Sequence, residues 1–91
     1  MKKNTTSTKL KIQNQELIKE VETKSYEIVR LYRIKYFEND YNFIDIRFYQ
    51  RGYDDKGEEV FYPTKKGVQI KEDLFKKLCD DFFLENLKKQ L

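Results

Sequence analysis

The chain predicts an α+β domain in which an antiparallel sheet is followed by a single C-terminal helix. Three observations carry this. Between Tyr26 and Ile70, apolar and polar residues alternate in short runs broken by turn signals, which is the periodicity of strands. After Ile70 the composition changes to Leu, Lys, Glu and Asp without Gly or Pro, which is the composition of a helix. A total of 91 residues leaves room for one domain. A sheet covered on one face by the helix is the natural packing for that order of elements.

Residues 1–24 read as a flexible basic arm, and residues 25–91 as the folded domain. The first residues are rich in Lys, Thr, Asn and Ser. Leu17, Ile18 and Val21 are spaced as one helical face, which allows a short helix or a strand lead-in within the arm. Tyr26 to Phe37 alternates Val, Ile, Leu and Tyr with Arg and Lys, and reads as one strand or two divided by a bend. Glu38-Asn39-Asp40 is a turn. Tyr41 to Arg51 is the clearest strand, with Ile44, Ile46 and Phe48 on one face and Phe43, Asp45, Arg47, Tyr49 and Arg51 on the other. Gly52 to Glu59 is a polar loop whose turn signal is Asp54-Asp55-Lys56-Gly57. Val60 to Tyr62 is a short strand that Pro63 prevents from continuing as a central one. Thr64-Lys65-Lys66-Gly67 reads as a basic turn, after which Val68 and Ile70 resume the core-facing alternation. The helix runs from Lys71 to Leu91, with Glu72 and Asp73 in its first turn and Lys88 and Lys89 in its last, the arrangement its dipole favours.

Composition narrows the chemistry. With no histidine, the Ser-His-Asp and Cys-His pairs and the usual near-neutral general base are missing. Cys79 is the only cysteine, which excludes an intrachain disulfide and a Cys/His zinc site. The three glycines fit no phosphate-binding loop. Asp54-Asp55 and Asp80-Asp81 read as solvated charge in a loop and on a helix face. No cofactor and no metal are expected, and the residues argue against an enzyme. No apolar run is long enough to span a membrane, so a soluble intracellular protein, in cytoplasm, nucleoid or nucleus according to the host, is expected. The net charge of +3 says little about partners.

Along the helix, Leu74, Phe75, Leu78, Cys79 and Phe82 form one stripe, suited to cover Ile44, Ile46, Phe48, Val68 and Ile70. Leu84, Leu87 and Leu91 fall on a different side, with Phe83 at the border. One small sheet needs only one stripe. The second stripe predicts a homodimer made through Phe83, Leu84, Leu87 and Leu91; the alternative is that the last turns fold back onto Leu17, Ile18 and Val21. In this arrangement Cys79 is a small core residue.

Facing away from the helix, Phe43, Arg47, Tyr49 and Arg51 interleave cations with flat rings. Arg33, Lys35 and Phe37 add to them from the neighbouring strand. Cations that meet phosphates and rings that stack on unpaired bases suit a single strand of nucleic acid; the bland reading is a solvated outer face. Asp45 fits such a face if it pairs with a neighbouring cation. Lys65 and Lys66 lie beside Gly67, where backbone approaches a phosphate closely.

The run Ile44-Asp45-Ile46-Arg47-Phe48-Tyr49, an acidic loop with Gly57-Glu58, then Pro63-Thr64-Lys65-Lys66-Gly67-Val68-Gln69-Ile70 and a Leu-rich helix resembles the PC4 (p15) transcriptional coactivator family over about residues 26–87. The resemblance implies a curved four-stranded antiparallel sheet followed by a helix (ββββα), paired as a homodimer. It further implies binding of single-stranded DNA or melted duplex, with a role in transcription, replication or repair and the transcription machinery as a partner. Carried over by position, the contacts are Arg30, Arg47, Lys65 and Lys66, with Phe37 as the aromatic ending the preceding strand and Asp45 as a structural, paired aspartate. The sequence departs from the family where its usual Trp is Gln50, where the glycine before the basic pair is Thr64, and where the Glu38-Asn39-Asp40 turn is acidic. Two other partners suit the same surface: RNA, and a polymerase docked through the exposed rings of a protein-interaction module.

Overall fold

A computed structural model describes residues 11–90. The lysines Lys2, Lys3 and Lys9 of the expected arm, and Leu91 of the expected dimer stripe, lie outside the described residues. Four strands, β1 (Ile12–Lys24), β2 (Glu27–Tyr36), β3 (Asn42–Tyr53) and β4 (Glu59–Lys71), form one open antiparallel sheet in sequence order. The helix α1 (Glu72–Gln90) follows directly. The expected ββββα order is present, although two of the strands arise differently from the sequence reading.

The segment expected as arm is strand β1 from Ile12 onward. It pairs with β2 from Ile12 opposite Tyr36 to Lys24 opposite Glu27, with three register shifts. The shift between Leu17 and Lys19 explains its helix-like spacing. Leu17 lies opposite Tyr32 and Val21 opposite Val29, so the two side chains point to opposite sheet faces. Every residue of β1 is exposed, and its charges and bulges are of the kind that protect a free sheet edge.

β2 is one unbroken strand, in continuous register with β3 from Glu27 opposite Gln50 to Lys35 opposite Asn42. The β3–β4 loop is shorter than expected, because both strands extend into it. Asp54 builds its turn: the Oδ1 atom accepts the backbone N–H groups of Lys56 and Glu58, each at 2.9 Å. Gly57 takes φ of 80°, the left-handed region that glycine tolerates.

The expected basic turn is a bulge within β4. Gly67 lies opposite Arg47 and Pro63 opposite Tyr49, so four residue steps on β4 match two on β3. β4 is an edge strand, which accommodates Pro63. Two contacts hold the bulge: the Thr64 hydroxyl donates to the Phe48 carbonyl at 2.8 Å, and Arg47 Nη1 donates to the Thr64 carbonyl at 2.9 Å.

The core does not sit where the helix stripe predicts. On the Arg33 face only Ile44 is buried, at 2% exposure, and Val68 is 56% exposed. The opposite face holds Ile28, Ile34, Asp45 and Tyr49, all buried. The helix leaves β4 on the Arg33 side, where the Arg33 guanidinium grips Glu72 through three hydrogen bonds of 2.8–3.2 Å. Beyond Phe75 the side chains described are all exposed, including Leu78, Cys79 and Phe82. The expectation that Leu74, Leu78, Cys79 and Phe82 cover the sheet is therefore corrected. The helix is anchored by its first turn and carries its apolar residues away from the sheet of its own chain.

Candidate nucleic-acid interface

Strand register assigns the predicted contact residues to two faces. Cross-strand partners share a face. Arg30 pairs with Arg47, Ile28 with Tyr49, and Ile34 with Phe43. Arg30, Phe43, Arg47, Tyr49 and Arg51 thus lie together on one face. Arg33 and Lys35 pair with Ile44 and Asn42 and lie on the other, against the expectation that they join the Phe43 side. Phe37 follows β2, with its backbone N–H bonded to the Lys11 carbonyl at 3.0 Å and its ring exposed.

Most of the cations have partners in the fold. Arg30 Nε donates to Glu20 on β1 at 2.8 Å, and its guanidinium lies 4.8 Å from the centre of the Tyr49 ring. Arg33 is shared between Glu16 on β1 and Glu72 on α1, a clamp that ties the outer strand to the helix. The hydrogen bond from Arg33 holds the Glu72 carboxyl below its ordinary pKa. Lys35 donates to the Asn39 carbonyl at 2.8 Å and to Gln13 at 3.0 Å. Arg51 contacts Glu59 at 3.4 Å.

Asp45 is 5% exposed and takes a two-pronged contact from Arg47 at 3.2 Å, with Gln69 Nε2 donating at 3.0 Å. The Tyr36 hydroxyl donates to Gln69 at 2.8 Å. A polar ribbon therefore runs across three strands, from Tyr36 through Gln69, Asp45 and Arg47 to the carbonyl of the bulge. It satisfies the buried carboxylate and fixes the arginine. Tyr49 sits under Arg30 and beside Tyr32, at a ring separation of 6.2 Å. Burial, with the neighbouring Tyr32 and Asp45, raises its phenol pKa.

Lys65 and Lys66 differ from these cations. Both are exposed, and neither has a carboxylate within 4.0 Å among the described residues. Lys66 lies 5.9 Å over the Phe48 ring. A Cβ at Gly67 would come within 2.6 Å of the Ile46 carbonyl, so the bulge requires glycine there.

Sequence reading missed the partners Glu20, Tyr32, Thr64, Gln69 and Glu72. The missing signal is long-range placement: Glu20 and Gln69 reach their partners through strand register, Thr64 through the β4 bulge and Glu72 through the β4–α1 junction. Among the described residues, no group of three or more Cys, Asp or Glu side chains is placed to hold a metal ion, and no helix is long and apolar enough to cross a membrane. No family model matches the chain, and no curated protein or solved structure does either.

Proposed function

We propose that this chain is a homodimeric single-stranded DNA-binding protein of the coactivator type, acting in transcription, replication or repair. The observation that carries the reading is the β4 bulge. It holds Lys65 and Lys66 out on an open sheet edge, next to Arg47, with no carboxylate partner among the described residues. Phosphates on an extended strand can meet these lysines with no ion pair to break among those residues. Arg30, Arg47 and Arg51, interleaved with Phe43 and Tyr49, lie on one sheet face beside the bulge, while Lys66 lies over the Phe48 ring on the opposite face. Tyr49 is buried beneath Arg30, so the ring of this face open to a base is the half-buried Phe43, and stacking on it is worth about 1–3 kcal/mol. The homodimer is supported by the uncovered helix, whose apolar side chains find no seat on their own sheet.

The test is a titration of fluorescent oligo-dT against the matching duplex under the same salt. The reading expects tighter binding of the single strand. Equal affinity for both would sink it. The same exposed helix also favours a second reading, a module that docks a protein partner. Binding carried by that helix would survive high salt, whereas phosphate contacts weaken steeply.

A further inference from the structure

The β1–β2 turn carries an exposed ring that neither the core nor the contacts above employ. Tyr26 is 45% exposed, yet its position is fixed by the ladder. Its carbonyl accepts the backbone N–H of Arg51 at 2.9 Å, continuing the β2–β3 register by one pair. Tyr26 is therefore the cross-strand partner of Arg51, and Arg51 is in turn the partner of Phe61 on β4. By the same register Tyr26 shares the face of Arg30, Arg47 and Tyr49. From Arg30 to Tyr26 is four residues, about 14 Å along the strand. The Lys24 ammonium lies 5.7 Å over the Tyr26 ring, within the range of a cation–ring contact.

We propose that Tyr26 and Lys24, brought beside Arg51 by the β1–β2 turn, form an outer nucleotide subsite in which the Tyr26 ring stacks on an unpaired base and Lys24 meets an adjacent phosphate. The subsite rests on the single-strand reading and extends it past the end of β2. The ladder fixes the Tyr26 backbone, and the neighbouring ammonium, moving off the ring as a base stacks on it, supplies the charge that the backbone of the strand requires. Three carboxylates border the site. Glu59 contacts Arg51 at 3.4 Å, Glu22 lies opposite Ile28 on the same face, and Glu27, next to Tyr26 in the chain, is the cross-strand partner of Lys24. The pair with Glu59 is exposed, so a phosphate competes with it on equal terms.

The experiment is a titration of the full chain, and of its Tyr26→Ala, Tyr26→Phe and Lys24→Ala variants, with oligo-dT of graded lengths. Tyr26→Ala should weaken binding of long oligomers about tenfold. Oligomers too short to reach the turn should bind wild type and variant alike. Tyr26→Phe, which keeps the ring, should bind like wild type. Lys24→Ala should reduce the salt slope on long oligomers by about 0.7. Photocross-linking of wild type to an oligomer bearing 5-iodouracil should label Tyr26, and it decides the matter should Tyr26→Ala fail to fold. The subsite is overturned if Tyr26→Ala binds every length like wild type, if Tyr26→Phe loses as much as Tyr26→Ala, or if cross-linking bypasses Tyr26. Failure of wild type to bind any oligomer would instead overturn the single-strand reading itself.

Discussion

At the scale of the residue, the central fact is that arginines chosen for phosphates already hold carboxylates. Arg30 is the clearest case, because its partner Glu20 comes from the exposed edge strand β1. A phosphate at the guanidinium competes with Glu20, which takes its Nε–H. An exposed ion pair is worth about 0.2–1 kcal/mol, so Glu20→Gln should tighten oligo-dT binding by up to about fivefold. Glu38→Gln removes the same charge from an exposed turn outside the strand face of Arg30 and is the control. Equal effects from both would mean a general field and no competition at Arg30. Gly67 makes a different demand. An added Cβ would meet the Ile46 carbonyl and Arg47 Cα at 2.6 and 2.9 Å, both backbone atoms that cannot swing aside. Gly67→Ala should therefore destabilise the fold by about 1–3 kcal/mol, read as a lower denaturation midpoint. An unchanged midpoint would mean that the bulge has an alternative register.

At the scale of the element, the bulge and the helix anchor each make a measurable claim. The pair Lys65→Ala with Lys66→Ala should weaken binding for all sequences alike and reduce the salt slope by about 0.7 per lost contact. An unchanged slope would place these lysines away from the strand. The anchor is sensitive to acid in one direction. Arg33 depresses the Glu72 pKa, so the stability it contributes is fully present above the ordinary carboxyl value and is lost as pH falls through the lower folded value. Carboxyl NMR should show Glu72 titrating below the ordinary glutamate value, and Arg33→Gln should return it toward that value. A Glu72 that titrates at the ordinary value in wild type would refute the clamp. Elements were unevenly legible in the sequence. Strand β3 and the helix were readable because their periodicity is uninterrupted over ten residues or more. β1 was not, because a bulge between Leu17 and Lys19 changes the parity of its apolar residues and imitates a helical face. The basic turn was misread for a related reason: Pro63 and Gly67 are turn residues that an edge bulge also uses. Of the candidate site, the residues of β3 were placed on their true face. Arg33 and Lys35 were not, since only register tells which face of β2 meets which face of β3.

At the scale of the whole molecule, the question is what covers the helix. Leu74, Leu78 and Phe82 were expected on the sheet and are exposed instead, as are Phe83, Leu84 and Leu87; Phe82 and Phe83 reach 71% and 65%. Exposed apolar surface on this scale ordinarily marks an interaction site. A second copy of the chain is the occupant we propose, and magnitudes indicate how much of the helix it must take. Covering a half-exposed Leu or Phe yields about 1 kcal/mol. One stripe from each of two chains then yields roughly 6 kcal/mol, near the lower end of the roughly 4–15 kcal/mol that association costs. Both stripes, joined by the open sheet face around Val68, double that gain. A stable dimer therefore needs both. Leu84→Lys with Leu87→Lys should give a monomer by light scattering, with a lower denaturation midpoint and weaker binding to long oligomers. Leu78→Lys with Phe82→Lys should do the same, an outcome that an interface confined to the last turns does not produce. If the first pair alone dissociates the dimer, the Leu74 stripe serves some other partner. If both pairs leave it intact, the contact runs along the free edge of β1 or β4.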